Sequence, residues 1–428
     1  MKLFFNRFTI ALLFAIGFNQ SNFAQTMNSP YTSYGVGEVL DNSLSHNQSM
    51  GGVGIGLPSF IHLNNVNPAW LPFNKLSTFE AALSGERRTI ESSEGTTTPI
   101  NGSVRYLTFG VPLKLNFWNL SVGLSPYSVV NYDFLATGDV SNEPGVNLNR
   151  LSEGEGGIGK AFLAQGFQYK DIYFGFRFNY YFGSTTRSTG QYVGDENTLI
   201  SRYIIEVSDR RNISDFNFDF GLGYNYKVNK NSFLNAGVIY RPESKMSTNY
   251  LSTFRRQTLT GTTIDADTIF DGSGDQIMPQ QIGFGLGYRK LKSGYNHWSV
   301  GFDAVFDQWS AYNNNEGQEN LRNSSKFAIG ASYTPDAANV ESYLKRITYR
   351  LGTFYKQTPY NLNNQGLDEF GMNLGLHLPV KNASVINIVL GYGSRGSLSN
   401  NVLKEQYFSI TIGATFNGKR WERSPWYN

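Results

Sequence analysis

Residues 215–226 read Asp-Phe-Asn-Phe-Asp-Phe-Gly-Leu-Gly-Tyr-Asn-Tyr. Phe216, Phe218, Phe220, Leu222, Tyr224 and Tyr226 share one parity, while Asp215, Asn217, Asp219, Gly221, Gly223 and Asn225 share the other. Side chains alternate between the two faces of a strand, so this one has an apolar face and a polar face. Strands of soluble sandwiches alternate too, but run to about 5–6 residues. A tilted strand crossing a bilayer needs about 9–11, and this segment has that length.

The pattern recurs. From Ser77 onward fourteen stretches carry it: Thr78–Gly85, Val104–Val111, Trp118–Pro126, Ile158–Tyr169, Ile172–Phe182, Asp215–Tyr226, Phe233–Arg241, Gln281–Tyr288, His297–Gln308, Lys326–Tyr333, Arg346–Lys356, Glu369–Leu378, Ser384–Tyr392 and Gln406–Phe416. Short polar turns such as Lys170-Asp171 alternate with long connections, notably Ala136–Gly157, Ser184–Ser214 and Pro242–Gln280, which read as loops. Outer-membrane barrels combine short periplasmic turns with long outer loops, and an even strand number returns both termini to one side. The expected fold is all-β: a transmembrane antiparallel β-barrel of about 14 strands.

Composition is compatible with this. The 428 residues include 15% aromatics, 45 Gly and no Cys, with a net charge of +3. No basic stripe points to nucleic acid. Without cysteine no disulfide staples the exported fold. Lys2 and Arg7, the apolar run Phe8–Phe18 and Phe23-Ala24-Gln25 form a secretory signal, with cleavage expected after Ala24. Beyond it no run of 18 apolar residues exists. Mean hydropathy of −0.33 does not exclude a barrel, whose lumen-facing residues are polar.

Residues 25–76 differ from the rest. Glycines in Met50-Gly51-Gly52-Val53-Gly54-Ile55-Gly56, followed by Asn67-Pro68-Ala69-Trp70-Leu71, prevent long regular elements. This pair of elements, followed at once by the strands, resembles the FadL family of outer-membrane hydrophobic-compound transporters. The resemblance covers most of the chain in architecture and about twenty residues in motif. It implies fourteen strands and an N-terminal hatch, residues 25–76, plugging the lumen, with Met50, Gly51, Gly52, Gly54, Asn67, Pro68 and Ala69 in that hatch. It also implies passive uptake of a fatty-acid-like compound. The chain departs from the family at Leu57–His62, and its Trp- and Arg-containing tail runs on past the last strand. The signal end and Asn/Tyr-rich loops resemble proteins of Bacteroidota, where FadL-like barrels include a subunit of type 9 secretion. A barrel subunit of an outer-membrane protein machine is therefore the alternative role. The organisation expected is signal 1–24, hatch 25–76, barrel 77–416 and periplasmic tail 417–428.

Strand parity places Arg177, Asn179, Asn217, Asp219, Asp303, Arg350, Asn373 and His377 in the lumen. They read either as a polar pathway or as ordinary interior cross-links holding strands and plug; the second carries more weight. Arg177 and Asp219 are the expected pair. Gly283-x-Gly285-x-Gly287 lies mid-strand with no helix after it, so it reads as close lumen packing rather than a nucleotide loop. Asp265, Asp267, Asp271 and Asp275 miss the EF-hand spacing. His46, His62, His297 and His377 show no nucleophile or metal spacing, so neither catalysis nor a cofactor is expected. Trp118, Trp298 and Trp309 read as interfacial girdle residues. The expected partners are outer-membrane lipid, a small hydrophobic ligand, and a protein at the outer loops or C-terminal tail, with no nucleic acid.

Overall fold

The computed structural model describes residues 29–418 apart from 93–94, 140–146, 195–202, 259, 313–320, 363–364, 381–383 and 399–402. Residues 1–28, which include the expected signal, and residues 419–428 lie outside the described residues.

Fourteen antiparallel strands close a barrel. They are β1 (Ser77–Ser92), β2 (Ile100–Lys114), β3 (Trp118–Val129), β4 (Asn147–Tyr169), β5 (Ile172–Val193), β6 (Tyr203–Asn229), β7 (Ser232–Arg241), β8 (Gln281–Lys292), β9 (Tyr295–Asp307), β10 (Ser324–Tyr333), β11 (Thr348–Leu362), β12 (Gln365–Pro379), β13 (Val385–Gly396) and β14 (Lys404–Gly418). Neighbours pair in order, and β14 pairs with β1 from Lys404↔Glu91 to Gly418↔Ser77, which closes the ring. Each of the fourteen stretches read from the sequence lies within one of these strands, save that Arg346 belongs to a short helix, Tyr343–Arg346, Ile347 to the connection before β11, and Ser384 and Gln308 fall just outside β13 and β9.

Parity explains the ring. Along β6, Phe216, Phe218, Phe220, Leu222, Tyr224 and Tyr226 are all exposed, whereas Asn217 and Asp219 are buried. An exposed phenylalanine ladder is stable only against hydrocarbon, so this outer face meets lipid and the barrel is of the outer-membrane type. At one end the chain reverses in tight turns, using left-handed backbone at Asn116 (φ 58°), Lys170 (φ 54°) and Ser293 (φ 53°). The start of β1 and the end of β14 lie at that same end, so it is the periplasmic one. Trp118, stacked on Phe167 at 6.0 Å, and Trp298, packed on Tyr288 at 4.9 Å, mark its aromatic girdle. Trp309 does not belong there: it is buried in a short 3-10 helix, Trp309–Ala311, against Tyr312.

The long connections are mostly strand, not loop. Tyr132–Asp139 pairs with the upper part of β4. Ser244–Thr258 and Thr263–Met278 form an outer hairpin, and its first strand pairs with Tyr203–Ile213 of β6 while β7 pairs with Phe220–Asn229 lower down. The upper parts of β4, β5 and β6, flanked by these three strands, thus form a six-stranded wall on the barrel rim. β6 alone has 27 residues. At about 3.3 Å per residue that is ~90 Å of strand, far more than an apolar band about 25 Å tall requires. Sequence periodicity misses this wall because the residues it buries mix Ile213, Met246 and Tyr250 with Ser208, Arg211 and Thr248, so no apolar parity stands out.

Inside the barrel lies the N-terminal segment, built from 3-10 turns at Pro30–Ser33 and Pro68–Phe73 and one helical turn, Ser45–Gln48. Leu44, Val53, Ile55, Ala69 and Trp70 in it are at most 1% exposed.

Candidate functional site

The chemistry-bearing groups converge where the N-terminal segment meets the inner wall. Asn67 organises its second half. Its side-chain oxygen accepts the Ala69 N–H at 3.0 Å, capping the Pro68–Phe73 turn, where Pro68 at the first position has no N–H to lose. Its amide donates to the Ile55 and Leu222 carbonyls, each at 3.0 Å, joining segment to wall. Gly54 is held by Asn64, whose amide donates to its carbonyl at 2.8 Å. Gly51 (φ 73°) and Gly52 (φ 92°) occupy left-handed backbone, and a Cβ on Gly51 would lie 2.7 Å from the Thr353 oxygen. Met50 packs with Val53, Leu57 and Ala328.

The wall supplies matching glycines. A Cβ on Gly285 would lie 2.4 Å from the Gly56 nitrogen, and one on Gly352 2.0 Å from the Met50 carbonyl carbon. Gly283, Gly285 and Gly287 therefore leave room for residues 55–57.

The polar lumen residues divide by partner. Asp303 accepts the Gly54 and Ile55 N–H groups at 2.7 and 2.8 Å. Asp219 is a hub: Arg177 Nε and Arg241 Nε donate to it at 2.8 and 2.6 Å, and Asn179 at 2.9 Å. Arg177 also donates to the Asn65 carbonyl. Asn217 donates to Ser244 at 2.6 Å. Asn373 is buried within van der Waals reach of Gly391, and Arg350 donates to Asn387 at 3.4 Å. His377 is buried at the periplasmic end, beside Asn387 at 3.2 Å.

Sequence reading missed a second hub. Arg88 and Arg395 both pair with Glu405, at 2.8 and 2.6 Å, and both with Glu38 of the N-terminal segment, at 3.3 and 3.1 Å. Ser29 donates to the same Glu405 at 2.5 Å. Burial alone would raise the Glu38 carboxyl, but the guanidinium charges of Arg395 and Arg88 outweigh it and hold its pKa at about 2. These residues are spread from 29 to 405, and no local pattern joins them.

Near the outer end an apolar cluster unites Tyr31 and Val36 of the segment with wall and rim residues Tyr127, Met278, Trp309, Tyr312 and Leu367. Between cluster and segment lies a cavity of about 260 Å³ whose lining includes Glu38, Asp41, Arg88, Asp219, Arg241 and Asp307. Apart from it, Asp265, Asp267, Asp271 and Asp275 lie along an extended outer strand, too spread to wrap one cation.

The family model for BamG matches residues 5–428. Among curated protein sequences none matches. The fold is that of FadL-family barrels. It is similar to the CymD monoaromatic hydrocarbon channel, with TM-score 0.55 and 14% identity over 91% of this chain and 100% of that one. It is similar to the P. putida toluene transporter TodX, with TM-score 0.54 and 15% identity over 88% and 99%. It is also similar to a Pseudomonas aeruginosa FadL homologue, with TM-score 0.52 and 12% identity over 89% and 99%.

Proposed function

This chain belongs to the BamG family, and we propose that it works as a plugged barrel subunit of an outer-membrane protein machine, presenting its raised outer wall to a protein partner. One observation carries the reading: the lining of the cavity between segment and barrel wall, which also includes apolar residues such as Ile55, Ile239 and Trp309, holds charged groups of both ionic hubs. Glu38, Asp41, Arg88, Asp219 and Arg241 line it. A hydrocarbon ligand needs a mostly apolar pocket, and seating it here strips water from charged groups without replacing their hydrogen bonds. Glu38 pairs with Arg88 and Arg395, the Asn65 carbonyl accepts from Arg177, and Gly54 and Ile55 donate to Asp303, so opening a path means breaking these buried contacts between segment and wall together.

The wall supplies the contact surface. Thr263–Met278 pairs with Ser244–Thr258 on one side, and among the described residues no strand pairs with its other edge. Ile264, Ile269 and Phe270 on it are exposed. An unpaired edge above the membrane is a template for strand addition by another chain. In this reading residues 1–24 direct export, residues 29–76 are a fixed plug, and the tail from 419 is a second, periplasmic contact.

The fold shared with CymD and TodX favours a second reading, passive uptake of a small hydrophobic compound with the N-terminal segment as a moving hatch. Photo-crosslinking in intact cells separates the two. A crosslinker at Ile269 or Phe270 should capture one protein species in stoichiometric yield, and one at lipid-facing Leu374 should not. Saturable uptake of toluene or oleate that depends on this barrel, with no crosslink at the edge, would reverse the assignment.

A further inference from the structure

Three of the chain's four histidines meet at one place. His46 and His62 come from the N-terminal segment, His377 from β12, and Glu80 from β1 joins them. The residues are 5%, 1%, 5% and 0% exposed respectively. The His46 and His62 rings lie parallel, 4.3 Å apart between centroids. His62 Nε2 is 3.2 Å from His377 Nδ1, and its Nδ1 is 3.4 Å from Glu80 Oε2. Donor atoms of His46, His62 and Glu80 all fall within 4.8 Å of one another. Glu80 sits near the start of β1 and His377 near the end of β12, so the cluster is at the periplasmic end, where ions from that side reach it first.

Glu80 is held by the Leu63 N–H at 2.7 Å and the Thr415 hydroxyl at 3.2 Å. His62 has partners on both ring nitrogens. His46 has none among the described residues: neither Nδ1 nor Nε2 meets a hydrogen-bond partner there, although the side chain is buried. A neutral imidazole always carries one N–H and one lone pair, and a buried group that leaves both unused needs an explanation.

We propose that His46, His62 and Glu80 form a divalent transition-metal site of the zinc class that staples the N-terminal segment to the barrel wall. Imidazole nitrogens with one carboxylate suit zinc, copper or nickel rather than calcium or magnesium. His62 Nδ1 faces Glu80 and the Thr415 hydroxyl, and Nε2 faces His377; binding a metal through Nδ1 requires the ring hydrogen on Nε2, where His377 would accept it, as outer partners fix metal-binding tautomers. Zinc–nitrogen bonds are about 2.0–2.1 Å long and lie in the ring plane, so loading draws the donors together and turns His46 out of the parallel stack. Arg350 acts electrostatically on all three imidazoles and opposes the incoming charge.

The test uses the full chain, purified in detergent without a histidine tag and stripped with chelator. Zn²⁺ should bind at one per chain, and Co²⁺ should give the intense visible bands of a four-coordinate site. Glu80→Gln and His46→Gln should each weaken Zn²⁺ by tenfold or more, His377→Ala should cost about 10–100-fold, and Arg350→Gln should tighten binding. Hexa-aqua cobalt bands with the wild-type chain would overturn the proposal without any variant having to fold. So would Zn²⁺ affinity indifferent to Glu80→Gln, or equal binding of Ca²⁺.

Discussion

Asp303 accepts the backbone N–H of Gly54 at 2.7 Å, a contact between residues 249 apart in the chain. The same carboxylate oxygen takes the next N–H, from Ile55, at 2.8 Å. The glycine run thus turns its amides towards an acid built into β9. Asp303→Ala leaves two buried donors unpaired, at about 1–3 kcal/mol each. Residues 53–56 should then lose protection in hydrogen exchange while the strands keep theirs.

Asp219 holds Arg177 and Arg241 together. Removing the shared anion strands two buried cations, and breaking a buried pair costs about 3–5 kcal/mol. Asp219→Ala should lower the unfolding free energy in detergent by that order. Asn217→Ala, one pleat away, loses only its bond to Ser244 and should cost about 1 kcal/mol.

Glu38 links plug stability to pH. Its carboxyl is held at about 2 against an ordinary 4.5, so the folded form favours the charged carboxylate. Its contribution is complete above about pH 4.5 and is lost as pH falls from there through about 2. Protease resistance of residues 29–40 should be flat down to about pH 4.5 and then decline, and Glu38→Gln should weaken it at neutral pH and flatten the decline.

Gly237 on β7 is where the wall leaves room for the plug: a Cβ there would lie 1.9 Å from the Ile55 oxygen. Gly237→Leu keeps a residue that a strand accepts but expels the segment. The variant should still fold to a heat-modifiable barrel, and in planar bilayers it should show conductance steps that the wild type lacks.

The legibility of this chain follows the solvent. Where lipid touches the wall, every second residue has to be apolar, and Phe216 to Tyr226 announce their strand unaided. Above the membrane that demand ends, so Arg210, Arg211 and Ser252 are strand residues that read as loop. Asn67 and Gly54 were legible through a resemblance, and Arg177 with Asp219 through parity on adjacent strands. Glu38 with Arg395, and His46 with His62 and Glu80, were not legible. Each joins an irregular segment to a strand that only the closed ring brings near. Trp309 misled because a tryptophan at a strand end suits both a girdle and a buried turn.

The most direct test of the central claim is a cryo-electron microscopy structure of the protein extracted gently from its own membrane. The expected result is a barrel with residues 29–76 in the lumen, no lipid-like density beside them, and a protein partner against Thr263–Met278. A solitary barrel with an elongated apolar ligand lodged next to the N-terminal segment would contradict it.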